Sequence, residues 1–263
     1  MIIRKSRREL ERMAVAGSIV ARALDMLRRE AKAGVTTAEL DRLAEEFIRA
    51  EGGIPTFKGY HGFTGSICSS PNDMIVHGIP GPYELKDGDV ISIDVGVTHR
   101  GWVADSAITV AVGDVAGEAL RLLETCRQSL FDAIDMCHPG AHLSDIGHAV
   151  QTRVEGQGFG VVRSLVGHGV GRRMHEDPQV PNYGQPGRGP VLAAGMVLAI
   201  EPMITAGDHE IQPDADDGWS IYTADGSLAA HFEHTVAVTE DGPLVLTRHE
   251  GWSPVDEPVL AAA

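Results

Sequence analysis

Carboxylates inside apolar, strand-like runs are the feature that most constrains this sequence. Two of them, Asp94 and Asp105, lie in the stretch VISIDVGVTHRGWVAD at residues 90–105. An apolar run leads into each acid, and residues 99–101 make a polar turn between the runs, which predicts a β-hairpin. Burying an unpaired carboxylate is costly. These acids therefore either face water at a sheet edge or have a cationic partner, and the hairpin alone leaves both interpretations open.

Size and charge limit the classes of protein to consider. The chain has 263 residues, 43% of them hydrophobic, which suffices for one large core or for two fused halves of about 130 residues each. A net charge of −15 argues against a general nucleic-acid binder. The sequence contains no apolar run of about 18 residues, so it predicts no membrane span. The first ten residues lack the apolar core of a signal peptide. Cys68, Cys126 and Cys137 form no CxxC pair, so we expect a reduced, cytoplasmic setting.

The charge is unevenly distributed along the chain. Residues 1–32 hold nine Lys or Arg and four Asp or Glu, a net charge of +5, so the remainder carries −20. The first helix is therefore basic on an otherwise acidic protein. It is either a solvated helix face, the more ordinary interpretation, or a contact surface for an anionic partner.

Apolar periodicity predicts an α+β chain with an internal repeat. Helices are expected over residues 7–31, 36–50, 117–136 and 143–155, and strands over 107–112, 161–166, 197–204, 219–223, 230–235 and 235–239. Residues 54–88 and 178–190 are predicted to be loop-rich. At an offset of 106 positions Gly34, Leu40, Ile48 and Gly52 match Gly140, Ile146, Val154 and Gly158. We expect one catalytic domain over 1–263, with pseudo-symmetric halves at 6–112 and 113–247, a site between them, and a weakly patterned tail at 248–263.

Three further residues repeat the chemistry of the hairpin acids. Glu201 lies in VLAIEPMI and Glu233 in AHFEHTVAV, each an acid inside a strand-like run. His168 ends another such run and is flanked by glycines, which give its ring room to project. Two divalent cations would balance four carboxylates and largely cancel their burial cost. Four carboxylates with one imidazole therefore predict a dinuclear metal site of the kind found in hydrolases.

The sequence does not match other common catalytic motifs. The sequence His175-Glu176-Asp177-Pro178 begins like a zincin helix, but Gln179 stands where the second histidine would be needed. There is no GxSxG nucleophile elbow, no GxxxxGK[ST] phosphate loop, and no cysteine pair at zinc-finger spacing.

Taken together, the ordered motifs closely resemble type I methionine aminopeptidases over about residues 6–247. The motifs are HGIP at residues 77–80, Asp94–x10–Asp105, GHGVG at 167–171, HEDP at 175–178, EPM at 201–203 and EHT at 233–235. The resemblance implies the pita-bread fold and hydrolytic removal of the initiator methionine from nascent proteins and peptides with a small second residue. It also implies a cytoplasmic monomer that uses two divalent ions, which Co, Mn, Fe or Zn could supply.

The same resemblance implies a role for each metal ligand. Asp105 and Glu233 would bridge the two ions, Asp94 would complete the shell of one ion, and His168 with Glu201 would complete the other. Glu201 would also be the base for the attacking water, because bound metals bring the pKa of water towards neutrality.

Further residues would act on the substrate. His175 would hydrogen-bond the scissile amide, and His77 would orient the substrate and assist proton transfer to the leaving amine. The methionine pocket would be apolar and narrow; its expected residues are Tyr60, Phe63, Cys68, His77 and Trp219, with His61 near the rim. Met174 departs from the family pattern, because the best-known bacterial members carry an aromatic residue there.

Two alternatives are set against this prediction. An Xaa-Pro aminopeptidase or prolidase would share the fold and metals, but normally carries an extra N-terminal domain and an R-x-E-D setting for its last acid. Here only about 75 residues precede His77, and the last acid lies in Phe232-Glu233-His234-Thr235. A catalytically inactive pita-bread binding module would have lost metal ligands, whereas all five candidates are present. The expected partners are peptide or nascent-chain N-termini, with transient ribosome contact through the basic first helix.

Overall fold

The computed structural model describes residues 1–249 of the chain. Most of the predicted tail at 248–263 lies outside the described residues. Among the residues that are described, no helix is both long and apolar enough to cross a membrane.

Four helices form where the apolar periodicity predicted them. They are α1 (Arg7–Glu30), α2 (Thr37–Ala50), α3 (Gly117–Ile134) and α4 (Leu143–Gly156). The start of α2 is fixed by Thr36, whose side-chain oxygen accepts a hydrogen bond from the Glu39 amide at 3.2 Å. The predicted helix boundaries agree with the structure to within two residues.

Fifteen strands complete the described chain. In order they are β1 (Ile54–Pro55), β2 (Cys68–Pro71), β3 (Met74–Val76), β4 (Val90–His99), β5 (Trp102–Ala111), β6 (Gly160–Val161), β7 (Val166–Gly169), β8 (Glu176–Pro181), β9 (Val197–Ile200), β10 (Met203–Thr205), β11 (Ile211–Pro213), β12 (Ile221–Thr223), β13 (Ala229–His231), β14 (His234–Thr239) and β15 (Gly242–Val245). The pairing is antiparallel throughout these strands. The loop-rich prediction for residues 54–88 missed the short strands β1, β2 and β3.

The predicted hairpin exists, but its strands are longer than expected. β4 and β5 pair over their full ten residues, so the separate strand predicted at 107–112 is wrong and belongs to β5. The reversal takes only Arg100 and Gly101, both with positive φ (49° and 76°), as a two-residue primed turn requires. Asp94 and Asp105 therefore lie inside long strands rather than at the ends of short ones.

Both faces of this hairpin are largely buried, but they pack against different neighbours. Ile91, Ile93, Val95 and Val97 of β4 pack with α1 and α2 in one apolar core. Because successive strand residues point to opposite faces, the even-numbered residues of β4 point away from the helices. A second core joins α3 and α4 to β9, β13 and β14. Each helix pair thus covers one sheet, and the site acids lie on the face that the helices leave open.

The second half is built on a five-stranded sheet in the order β15-β14-β9-β7-β8. The single strand predicted at 161–166 is wrong, since β6 and β7 are separate strands. The strand predicted at 197–204 is interrupted at Glu201-Pro202, where proline has no N–H for the ladder. Part of the polar loop predicted at 178–190 is strand β8.

Main-chain contacts join the two halves at their centre. The amide of Glu233 donates to the Ala107 carbonyl at 2.9 Å, and the amide of Ala107 donates back to the Glu233 carbonyl at 3.3 Å. Thr235 Oγ1 accepts from the Asp105 amide at 3.0 Å and donates to the Asp105 carbonyl at 2.8 Å. These bonds place the β4–β5 hairpin directly beside the strand that follows Glu233.

Candidate metal centre and active site

The register of the hairpin brings Asp94 and Asp105 to the same face. Asp94 lies opposite Ala107, and Asp105 lies opposite Gly96. The two aspartates are therefore diagonal neighbours across the pair, close enough for their side chains to interact. The ten intervening residues position both carboxylates together, as the sequence predicted.

Glu201 and Glu233 lie on one interrupted ladder. β9 pairs with β14 through Ile200 and His234, and β10 pairs with β13 through Met203 and His231, in the same continuing register. Extending that register across the interruption places Glu201 opposite Glu233. The break at Pro202 therefore leaves the pairing direction intact while freeing two carboxylates to point into the space between the sheets.

His168 is held in β7 by its flanking glycines. A Cβ on Gly167 would lie 2.4 Å from the Ala199 carbonyl oxygen, and one on Gly169 would lie 2.1 Å from that of Asp177. No side chain fits at either position, so the glycines permit close strand packing on both sides of the histidine. His168 Nδ1 lies 2.9 Å from the Gly169 carbonyl and donates to it, which leaves Nε2 facing Glu201 Oε1 at 3.6 Å.

Asp105, His168 and Glu233 offer ligand atoms that all lie within 4.8 Å of one another. All three residues are buried, and Asp94 and Glu201 adjoin them as partly buried neighbours. Asp94, Asp105, Glu201 and Glu233 are called here the buried acid group. The structure thus brings together all five predicted metal-ligand candidates.

The electrostatics of the buried acid group favour binding of a cation. Burial, followed by repulsion from neighbouring carboxylates, raises the pKa of Asp94, Glu201 and Glu233 well above its ordinary value. Burial raises the pKa of Asp105 to about 7. One buried oxygen each of Asp94, Asp105 and Glu233 has no hydrogen-bond partner among residues 1–249. Unpartnered carboxylate oxygens beside an imidazole nitrogen fit divalent cations, because such ions would compensate the buried charge.

Two more predicted histidines lie at the same centre. The rings of His168 and His175 are 4.3 Å apart, and Tyr60 OH is 2.7 Å from His175 Nδ1. Burial, with a smaller contribution from His175, lowers the pKa of His77 to about 4. Burial also lowers the pKa of His168 to about 4 and that of His175 below its ordinary value. These imidazoles are therefore neutral near pH 7.

The predicted pocket residues pack against one another next to these histidines. The rings of Phe63 and Trp219 are 5.2 Å apart, and those of His77 and Trp219 are 6.4 Å apart. Tyr60 stacks edge-on against His61 at 4.4 Å. Cys68 pairs with Asp94 across β2 and β4, so the pocket adjoins the buried acid group. Met174 is buried in the same apolar cluster as Phe63 and Cys68.

Some site residues did not emerge from the sequence. His231 is only 2% exposed, and its Nε2 lies 3.8 Å from Glu201 Oε2. Asn182 Nδ2 donates to the Glu201 carbonyl at 2.9 Å. His231 lies two positions before Glu233, so strand alternation was the signal that could have found it. Asn182 carried no such signal, because its contact depends on tertiary packing.

A second group of potential ligands lies at the surface. Asp208, His209 and Glu210 also gather within 4.8 Å, and we call them the surface acid group. Both carboxylates are largely exposed and already pair with the histidine between them, at 2.9 and 3.5 Å. Exposed acidic groups pay little desolvation cost and do not require an ion.

The fold and the site define a class of metallopeptidase, and the sequence comparison agrees. The sequence model of metallopeptidase family M24 matches residues 11–240, so this chain belongs to that family. It is 52% identical over 248 residues to a protein named methionine aminopeptidase 1 from Bacillus subtilis, covering 94% of this chain and all of that protein. It is 48% identical to methionine aminopeptidase 1 from Mycobacterium tuberculosis, covering 94% and 95% of the two chains.

Solved structures give the same result. The methionine aminopeptidase of Thermotoga maritima superposes with a TM-score of 0.93 at 44% identity, over 95% of this chain and all of that chain. The prolidase of Pyrococcus furiosus reaches a TM-score of 0.75 at 21% identity and shares the fold. The match covers 94% of this chain but only 66% of the prolidase. The predicted pita-bread fold and the resemblance to methionine aminopeptidases are confirmed, and the homologues favour that function over the Xaa-Pro alternative.

Proposed function

We propose that this protein removes the initiator methionine from nascent proteins and peptides with a small second residue, using two divalent ions. The observation that carries the proposal is that Asp105, His168 and Glu233 meet at one buried centre, with Asp94 and Glu201 interacting directly with members of that group. Its relatives at about 50% identity bear the name methionine aminopeptidase.

The ions would be held by the buried acid group and His168. Asp105 and Glu233 would serve both ions, Asp94 would serve one of them, and His168 with Glu201 would serve the other. Bound ions supply Lewis acidity, which lowers the pKa of water and polarises the scissile carbonyl. Mn, Fe, Co and Zn all suit a shell of carboxylates with one imidazole.

The protein supplies the proton transfers and the orientation. Glu201 is the proposed base for the attacking water, because its carboxylate lies at the candidate metal centre, 3.6 Å from His168 Nε2. His175 is proposed to hydrogen-bond the scissile amide, and Tyr60 fixes its ring through Nδ1. His77 is proposed to orient the substrate and to assist proton transfer to the leaving amine.

The substrate side chain would enter the aromatic pocket. Phe63 and Trp219 form an edge-to-face pair at 5.2 Å, suited to a flexible thioether. Cys68 lines the pocket as a neutral thiol, because burial raises its pKa well above the ordinary value. Tyr60 and His77 would close the remaining sides, with His61 near the rim.

The setting and the partners are part of the proposal. We place the enzyme in the cytoplasm as a monomer, and the three free, buried cysteines agree with a reducing compartment. We also propose transient ribosome contact through α1. Arg8 and Arg12 are exposed on it, whereas Arg28 and Arg29 pair with Asp25.

The proposal is tested by comparing two peptides under several metals. Purified protein, stripped with chelator and reloaded with Mn, Fe, Co or Zn, is given Met-Ala-Ser and Ala-Pro-type peptides. We expect release of methionine from Met-Ala-Ser with at least one metal and little cleavage of the Xaa-Pro bond. Preferential Xaa-Pro cleavage would move the chain to the prolidase-like alternative. Turnover of neither peptide, with no metal bound, would favour an inactive binding module.

A further inference from the structure

The loop that ends at His175 has little regular structure of its own. Residues 171–175 form bends between β7 and β8. On one side the Val103 amide donates to the Gly171 carbonyl at 2.8 Å, and the Arg172 guanidinium stacks on Trp102 at 4.0 Å. These contacts tie the start of the loop to the hairpin, but they do not hold its end.

The end of the loop is held by the Glu176 carboxylate, which is folded back into it. Oε1 accepts hydrogen bonds from the amides of Arg172 and Arg173 at 2.8 and 3.2 Å. Oε2 accepts from Lys5 Nζ at 2.9 Å. The side chains of Lys5 and Glu176 are 3% and 2% exposed. Charge-assisted hydrogen bonds of this kind are stronger than neutral ones and fix geometry.

Burial alone would raise the pKa of Glu176, but the hydrogen bonds from Lys5 and the two amides lower it overall. The carboxylate is therefore ionised at neutral pH, with Lys5 as its charged partner. Gly171 leaves the room that this pair needs, since a Cβ there would lie 2.6 Å from Lys5 Cε and 2.8 Å from Glu176 Oε1.

Lys5 is itself anchored to a different part of the site. Its amide donates to the Gly195 carbonyl at 2.6 Å, and Arg4 Nε donates to the Ala194 carbonyl at 2.6 Å. Gly195 has a φ of +93°, and a Cβ there would lie 2.7 Å from the Lys5 carbonyl oxygen. This segment leads into β9 and so to Glu201. Lys5 thus connects the His175 loop to the strand that ends at the proposed base.

We propose that Lys5 is a positioning residue for His175, acting through its buried ion pair with Glu176 to hold the end of the loop against the strand leading to Glu201. The inference rests on the proposed role of His175 in the reaction. The hydrogen bonds and the ion pair that Lys5 makes among residues 1–249 go to Gly195 and Glu176, so its effect on turnover is expected to pass through the loop.

The test is a double-mutant cycle between Lys5→Met and His175→Ala. Methionine keeps an unbranched side chain of similar length but leaves the Glu176 carboxylate buried without its partner. With Met-Ala-Ser and saturating metal, we expect Lys5→Met to lower kcat about tenfold while KM changes less than about twofold. In the His175→Ala background the same change should have little further effect, because both act through one group. Lys32→Met, an exposed lysine at the end of α1, is the matched control and should retain full activity.

Three results would overturn the inference. The first is a wild-type kcat in Lys5→Met. The second is a tenfold loss of kcat when Lys5→Met is added to His175→Ala. The third is loss of bound metal from folded Lys5→Met. Bound metal is measured directly by elemental analysis, independently of activity. If Lys5→Met does not fold, Lys5→Gln, whose neutral amide removes the charge of the ion pair but keeps a polar group beside Glu176, is judged by the same criteria. Wild-type turnover in His175→Ala would instead overturn the role of His175 itself, so the two failures are distinguishable.

Discussion

Within residues 1–249, carboxylates gather around a histidine in two places, and these two groups differ in burial. In the buried acid group Asp105 and Glu233 are each 2% exposed, whereas Asp208 and Glu210 of the surface acid group are 62% and 69% exposed. The ligand chemistry and spacing are similar. Water solvates the surface group and its histidine already pairs with both acids, so nothing there demands an ion. The buried group is shielded from water, and the histidines that approach Glu201, His168 at 3.6 Å and His231 at 3.8 Å, are neutral near pH 7 because burial lowers the pKa of each. Burial, rather than residue type, therefore indicates the candidate metal site.

The largest expected effect is on a bridging position. Asp105→Ala removes a proposed bridge, so we expect kcat/KM to fall by at least about a thousandfold, on the scale of a lost metal ligand or more. The measurement is methionine release from Met-Ala-Ser, together with metal content. Asp208→Ala, the equivalent change in the surface acid group, should leave both unchanged. Near-normal activity in Asp105→Ala would rule out the dinuclear assignment. It would also mean that the buried and surface acid groups do not differ in function.

A smaller effect is expected from His175→Ala, which leaves all five proposed ligands in place. We expect kcat to fall about a hundredfold through the loss of one hydrogen-bond donor to the scissile amide, with metal retained. Steady-state kinetics with parallel metal analysis measures this. His209→Ala is the matched control in the surface acid group and should be silent. Loss of metal in His175→Ala would mean that this histidine belongs among the ligands.

The smallest effect concerns stability without metal. Because the pKa of Asp105 in the folded, metal-free protein is raised from 3.8 to about 7, its stabilising contribution is present below about pH 4 and lost as the pH rises through 7. Asp105→Asn removes this penalty. At pH 8 we expect the metal-free variant to be more stable than wild type by on the order of 2 kcal/mol, or about 4–8 °C in Tm.

The comparison of the two proteins is made in chelator at pH 4 and at pH 8. The histidines are common to both proteins, so the difference in Tm reports Asp105 together with its effect on the neighbouring carboxylates. The stability gain of Asp105→Asn over wild type should vanish at pH 4. When metal is added, the variant should become less stable than wild type. Asp208→Asn should show no gain at either pH, and an equal gain there would contradict the assigned role of burial.

The sequence predicted the ligands better than the strands that carry them. Asp94, Asp105, Glu201 and Glu233 could be found because an acid in an apolar run is a local signal. The interruption at Pro202 could not be placed, because a run of apolar residues reads the same whether its strand is continuous or broken. The extension of β5 beyond Asp105 was missed for the same reason.

Contacts between distant residues left no trace in the sequence. Lys5 and Glu176 are 171 positions apart, and each looks like an ordinary charged residue in its own segment. His231 was not predicted, although it lies two positions before Glu233 in the same apolar run. The helices were predicted closely, since their periodicity is set by their own residues and their ends by local caps.

The hydrogen bonds exchanged between Ala107 and Glu233 have a consequence for biosynthesis. The hairpin that carries Asp94 and Asp105 leaves the ribosome about 130 residues before the partner strand is made. At about 5–20 residues per second, its two acids wait roughly 6 to 26 seconds before Glu233 emerges. During that interval the half-made chain has a hairpin with acids but no complete cage for an ion. A site that needs Glu233 can therefore be completed only after the polypeptide has been made through residue 233.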